Sequence, residues 1–333
     1  GDESYADEGI LVSAAAARVR MPVDVIVGTD QASRSSAPST SQIENIVGVA
    51  VDAERGCIYL ADMKRNQIIL VKGGLRRSPG DGDDGVSVFP VAQGLELVAQ
   101  LAFDGNDLFA VSRHDGRGRL LRIVRPDASS SPAVRVVAEA EEKTRWVNVA
   151  VDAAGESLYV LDEDGKLLRI RERTAGGQEP EVTILATGIA VTSHAGVCAP
   201  DDAPGEVFVT EMTTGILYKI GAAGQKIVVA AGLVSPTDCE VAGSTVLVTS
   251  LYPGFLWRVH RGGGGGDSDF SKRHGGRTST ELLTSGLEFP LGISLDARTG
   301  DLLVSEWGMK VNAAGAIEGE GSIGTLVRVE SLE

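Results

Sequence analysis

Six polar residues each close an apolar run of strand length: Asp62 in CIYLAD, Ser112 in DLFAVS, Asp162 in SLYVLD, Glu211 in EVFVTE, Ser250 in TVLVTS and Glu306 in DLLVSE. Four acids and two hydroxyls at one recurring place would attract a cation or a basic segment of a partner, because gathered carboxylates sum to a negative potential. The same residue types also accept hydrogen bonds from backbone N–H groups wherever a chain reverses. A second group stands at the start of another recurring run: Asn45, Gln100, Asn148, His194 and Asp238, with Trp146 and Tyr252 nearby. Oxygen ligands converging on one point are what Ca2+ takes, about six to eight of them including waters. Asn148, Asp238 and Glu211 are the expected metal set, with His194 as a further member.

The elements that must hold these residues repeat. Residues 147–170, VNVAVDAAGESLYVLDEDGKLLRI, hold three apolar runs split by turns rich in Gly and Asp, the pattern of an antiparallel meander. The first run recurs as VGVAVD, AQLAFD, AGVCAP, TDCEVA and LGISLD, and the third as QIILV, LLRIV, ILYKI, FLWRV and TLVRV. A fourth run, such as VTILATGI from Val182 or KIVVAAGL from Lys226, follows every copy but the last, while VDVIVG (Val23 to Gly28) stands ahead of the first. Only a ring gains from that displacement, since a last sheet can borrow the first strand only if the array closes. The copies are spaced at about the 40 to 50 residues of a propeller blade or slightly more. The sequence therefore predicts an all-β fold, a six-bladed β-propeller of four-stranded antiparallel blades over 23–333, with 1–22 as an N-terminal extension. The blades fall near 43–94, 95–140, 141–188, 189–232, 233–286 and 287–333, the last completed by 23–28.

The copies resemble NHL repeats, whose rhythm is a Gly-Ile-Ala-Val-Asp strand, a Leu-Tyr-Val-Ala-Asp strand and a final Arg-Ile strand. The residues that carry the likeness are Gly48 to Asp52, Tyr59 to Asp62, Tyr159 to Asp162, Gly292 to Asp296 and the pairs Arg122/Ile123 and Arg169/Ile170. The frame is shared with the regucalcin and gluconolactonase group, paraoxonase-like lactonases and strictosidine synthase-like proteins, so the resemblance implies architecture and leaves activity open. Metal-dependent lactonases of this frame place an Asn just before the glycine position of several innermost strands. Val47, Ala99, Val147, Ala195, Thr237 and Leu291 stand there instead. Asn148 and Asp238 occupy the glycine position itself, which turns their side chains to the other face of the strand. An intact lactonase-type calcium centre is therefore not expected.

In a blade whose first strand is innermost, the loop between second and third strands and the loop linking consecutive blades share the face around the channel mouth. Asp62, Asp162, Glu211, Glu306, Trp146, His194, Tyr252 and Trp307 are the expected binding residues of that face. The insertion Glu306 to Gly324 emerges there too, whereas the glycine-rich stretches near 73–85, 125–132, 171–180 and 261–276 join third to fourth strands on the other side. A zinc centre wants three converging histidines, but only His114 and His194 fall on the mouth side. No G-x-S-x-G nucleophile turn occurs. Cys57, Cys198 and Cys239 are too few and odd in number for a disulfide framework. Cys198 and Cys239, in innermost strands of neighbouring blades, are expected as inert buried groups, with a disulfide between them as the alternative.

With 46 acidic against 31 basic side chains, the net charge of -15 repels a phosphate backbone, which argues against a nucleic-acid partner. No apolar run reaches bilayer length, so no membrane span is expected. The chain opens at Gly1 and has no Asn-x-Ser/Thr acceptor. A processed form or a fragment of a larger secreted or surface protein is allowed, and so is a cytoplasmic protein. The resulting expectation is a module that recognises a protein or peptide ligand through the mouth face. Its alternative is a Ca2+-dependent ester or lactone hydrolase with the metal in the central channel.

Overall fold

The computed structural model describes residues 23–27, 43–73, 75, 86–124, 132–152, 156–172, 179–200, 202–252, 254–261, 280–307, 310–311, 317–318 and 325–329. These contain strands and turns and no helix. After β1 (Val23–Val27), the first sheet is β2 (Ile46–Asp52), β3 (Cys57–Asp62), β4 (Gln67–Lys72) and β5 (Ser87–Gln93). The second comprises β6 (Leu101–Phe103), β7 (Leu108–His114), β8 (Arg117–Ile123) and β9 (Val134–Glu139). The third comprises β10 (Trp146–Val151), β11 (Leu158–Asp162), β12 (Leu167–Arg171) and β13 (Glu181–Ala186). In the fourth are β14 (Val197–Cys198), β15 (Val207–Glu211), β16 (Ile216–Ile220) and β17 (Lys226–Ala230), and in the fifth β18 (Pro236–Ala242), β19 (Thr245–Ser250), β20 (Phe255–His260) and β21 (Thr280–Ser285). The sixth holds β22 (Pro290–Leu295) and β23 (Leu302–Glu306); beyond a two-stranded hairpin of β24 (Lys310–Val311) and β25 (Ile317–Glu318) it ends with β26 (Thr325–Val329).

Strand β1 pairs antiparallel with β26, Val23 opposite Val329 and Val27 opposite Leu326, giving the sheet order β1-β26-β23-β22. The first strand thus completes the last sheet, and the fold is a six-bladed β-propeller. Innermost strands contact one another in sequence, β2 to β6, β6 to β10, β10 to β14, β14 to β18, β18 to β22 and β22 back to β2, which closes the ring.

Burial follows position in the blade. The second strands β3, β11, β15 and β23 are buried at every residue, because neighbouring blades cover both faces. That is why they read as unbroken apolar runs rather than alternating ones. Tyr59, Tyr159 and Phe208 occupy the same place in three of them and are fully buried, each contributing about 1.5–3 kcal/mol. Outermost strands β9 and β13 leave Val136 and Ile184 exposed at the rim. The Asp that ends most first strands has a local cause. Asp52 Oδ1 accepts from Arg55 N (3.0 Å), Asp104 Oδ1 from Asp107 N (2.7 Å), Asp152 Oδ1 from Glu156 N (3.0 Å) and Asp296 Oδ1 from Arg298 N (3.0 Å). Each carboxylate caps the turn into the second strand.

One difference from expectation stands out. Cys198 of β14 and Cys239 of β18 are joined by a disulfide, with Cα atoms 5.7 Å apart, rather than standing as separate inert thiols. Cys57 is a buried free cysteine. The blade-six insertion contributes β24 and β25, and its remaining residues from 308 on lie outside the described residues, as do residues 1–22 and most of the four glycine-rich stretches.

Candidate functional site

The residue at the glycine position of each innermost strand stands where innermost strands of different blades approach one another. A Cβ on Gly48 would stand 2.4 Å from Ala99 O, one on Gly196 2.6 Å from Thr237 O, and one on Gly292 2.9 Å from Ser305 Oγ. At Gly48 and Gly196 a neighbouring strand's backbone stands too close for any side chain, which is the physical reason for glycine there, whereas at Gly292 the Ser305 hydroxyl comes first and the nearest backbone atom, Val47 O, is 3.0 Å away. The remaining three positions hold Gln100, Asn148 and Asp238, and these fill the waist. Gln100 Nε2 donates to Val47 O (3.1 Å) across to blade one. Asn148 Nδ2 donates to Asp238 Oδ1 (3.0 Å), bridging blades three and five past the glycine of blade four, and also to Ala195 O (3.3 Å). Asp238 Oδ1 further accepts from Cys239 N (3.0 Å) and Oδ2 from Ile293 N (3.3 Å). Burial pushes the Asp238 carboxyl up to about 7, against the opposing pull of those amide donors. Val47, Val147, Ala195 and Leu291, one residue earlier, pack into the apolar cores.

The structure therefore brings Asn148 and Asp238 together, but not as a calcium cradle. Asn148 turns its N–H to the carboxylate and its Oδ1 to Val149 N (2.7 Å), so it offers donors where a cation needs oxygens. Glu211 joins neither of them: it accepts from Ala190 N (2.9 Å) and Thr214 Oγ1 (2.7 Å). Among the described residues no group of three or more His, Cys, Asp or Glu could hold a metal ion. The residues present do not fit a bound Ca2+ as they are arranged.

The acids that end the second strands are buried and engaged with backbone amides. Asp62 accepts from Glu44 N (3.0 Å), Asn45 N (3.1 Å) and Arg65 N (3.3 Å), Asp162 from Lys166 N (2.8 Å), and Glu306 from Glu288 N (2.8 Å). Ser250 accepts from Trp257 Nε1 (2.9 Å). Asp62, Glu211 and Glu306 each latch the end of a second strand to the segment leading into the same blade.

The next residue along is Met63, Arg113, Glu163, Met212, Leu251 or Trp307, at least part-exposed in every blade but the fifth, where Leu251 is buried. A repeated backbone hydrogen bond fixes five of these six places, all but Met212. Met63 N donates to Asn45 O (2.9 Å), Arg113 N to Glu96 O (2.8 Å), Glu163 N to Arg145 O (2.9 Å), Leu251 N to Ser235 O (3.0 Å) and Trp307 N to Phe289 O (3.1 Å). Of the column, only Trp307 is among the residues the sequence points to; the signal for the others is the step of one residue that reverses side-chain direction in a strand, which the polar residue before each of them masks.

The mouth divides into two arcs. Met63, Met212 and Trp307 pack on one apolar cluster with Leu251 and Phe289, spanning blades four to six and one. Tyr252 stands exposed with its ring edge-on to Phe289, centroids 5.2 Å apart. His194 meets Trp307 edge-on at 5.6 Å, and burial together with the nearby Arg145 charge lowers its pKa below the usual imidazole value. The other arc, from blades two and three, is polar. Arg145 Nε lies 3.5 Å from Glu163 Oε2 without making a hydrogen bond, while Glu163 Oε1 accepts from Arg145 N (2.7 Å). Arg113 Nε is buried with no partner among the described residues. Trp146, expected on the mouth, is buried instead in the core between blades two and three, its Nε1 unpartnered.

No family model and no curated protein matches this chain in sequence. Solved structures do match in shape. Luciferin-regenerating enzyme superposes with a TM-score of 0.63 over 94% of this chain and 96% of its own, at 10% identity. The PQQ-bound aldose sugar dehydrogenase from Streptomyces coelicolor gives 0.62 over 94% and 99%, at 13% identity. The calcium-binding protein regucalcin from Agrobacterium tumefaciens gives 0.55 over 87% and 92%, at 11% identity. At such identities the likeness shows a six-bladed propeller fold, one that serves enzymes and a calcium-binding protein alike.

Proposed function

We propose that this protein is an NHL-like recognition propeller that binds a protein or peptide ligand across its channel mouth. The observation that carries the reading is the half-buried trio Met63, Met212 and Trp307, each just past a second-strand end, packed on the buried Leu251 and Phe289 beside the exposed Tyr252. Apolar and aromatic anchors beside a polar arc are the anatomy of a protein-binding surface. The acids behind that column act as latches and are already satisfied. Peptide display against the purified chain tests the reading. Selected peptides should bind the wild type and lose about tenfold or more in affinity on Trp307→Ala, as removal of a central aromatic anchor does. Peptides insensitive to Trp307→Ala, or none at all, would remove it.

A second reading, a Ca2+-dependent ester or lactone hydrolase, draws on the enzymes and the calcium-binding protein among the structural neighbours. It requires the Asn148–Asp238 hydrogen bond to break so that both side chains turn oxygens to a cation. Calorimetry with Ca2+ and a panel of esters and lactones decides it: binding heat and turnover in the wild type, both lost in Asp238→Ala, would displace the recognition reading.

A further inference from the structure

Arg113 is the unusual member of the mouth column. Several arginines are matched with acids: Arg65 with Glu44, Arg119 with Glu139, Arg122 with Asp107 and Glu172, Arg258 with Glu281, and Arg261 with Asp202. Arg169 on the third strand of blade three shares with Arg113 a buried Nε without a hydrogen bond, but it lies outside the mouth column. In a protein of net charge -15 such partners are abundant. Arg113 has none: among the described residues its side chain makes no ion pair, and its buried Nε makes no hydrogen bond. A half-buried guanidinium without an acceptor is costly unless something else supplies one. Its ring neighbour Glu163 is bound to the Arg145 backbone and faces the Arg145 side chain at 3.5 Å, a pairing that leaves Arg145 Nε without a hydrogen bond. Two forked donors thus stand on the blade-two and blade-three arc, beside the apolar arc described above.

Resting on the recognition reading, we propose that the ligand carries a carboxylate that docks on Arg113 and Arg145 while an adjacent apolar group lies on Trp307, Met212 and Met63. The guanidinium fork matches a carboxylate in two parallel hydrogen bonds. The chain's own negative field and the nearby Glu163 disfavour a polyanion, which leaves a singly charged acidic peptide as the fitting occupant. Glu163 acts as an internal competitor that a ligand acid relieves.

Each peptide recovered by display is synthesised in two forms, with its carboxyls free or converted to amides, and binding is followed by fluorescence anisotropy. Amidation should weaken binding by about tenfold or more, the range for a lost charged hydrogen bond. Arg113→Gln should weaken the acid form equally and leave the amide form unchanged, and Glu163→Gln should tighten the acid form. Near-UV circular dichroism confirms that both variants keep the native fold. If acid and amide forms bind alike, and Arg113→Gln treats them alike, the carboxylate inference fails while Trp307-dependent binding still supports the recognition reading. If no peptide is recovered, both fall.

Discussion

Replacing Asp238 by Asn should change not only how stable the propeller is but how that stability depends on pH. The carboxyl titrates near 3.8 when solvated and at about 7 in the fold. A raised acid pKa means the folded state prefers the neutral form. That preference stabilises the fold fully below the solvated value and is lost progressively as pH rises from about 4 to 7, after which both states are ionised and the contribution is flat. Three pKa units correspond to about 4 kcal/mol over that window. The amide cannot titrate, so it abolishes the slope, but its NH2 would face one of the three donors now served by the carboxylate, the weakest being Ile293 N at 3.3 Å. That mismatch costs about 1–3 kcal/mol at every pH. Asp238→Asn should therefore be less stable than wild type near pH 4 and more stable by about 1–3 kcal/mol near pH 8, with a crossover between. Urea denaturation of both proteins from pH 4 to 8 measures it, and taking the difference cancels the many other carboxylates. A difference that stays flat across the range refutes the reasoning.

Reduction of the Cys198–Cys239 bridge, which closes a segment with a sequence separation of 41, should lower stability by up to about 4 kcal/mol in the chain-entropy account; denaturation with and without reductant, with Cys198→Ser as control, checks it. Gly48→Ala should destabilise by about 2 kcal/mol or more, since its Cβ would sit 2.4 Å from the Ala99 carbonyl with backbone that cannot step aside; a melting temperature equal to wild type would contradict the packing argument for the glycine column.

Architecture was legible because it is written in repetition. Six copies of a strand triplet and a fourth strand missing at one end were enough to place Val23–Val27 against Thr325–Val329. Fine geometry was less so. AQLAFD and AGVCAP read as full strands, but only Leu101–Phe103 and Val197–Cys198 pair. The disulfide was open from sequence because Cys198 lies two residues past its glycine position and Cys239 one past its own, and the stagger between two innermost strands leaves no trace in either. The acidic column was visible, but its direction depended on one residue of alternation. That single step separates Glu306, bonded to Glu288 N, from Trp307, which lies against His194. The Asn148–Asp238 bridge joins residues 90 apart and follows only from Gly196 leaving space between them.

The pairing of β1 with β26 also imposes an order on biosynthesis. Sheets one to five can zip as they leave the ribosome, from local hairpins, but β1 must wait until Val329 has emerged before it finds its neighbour. Until then the completed sheets form an open arc and β1 stands unpaired. A stalled or truncated message would release that arc as a species prone to stick to its own copies.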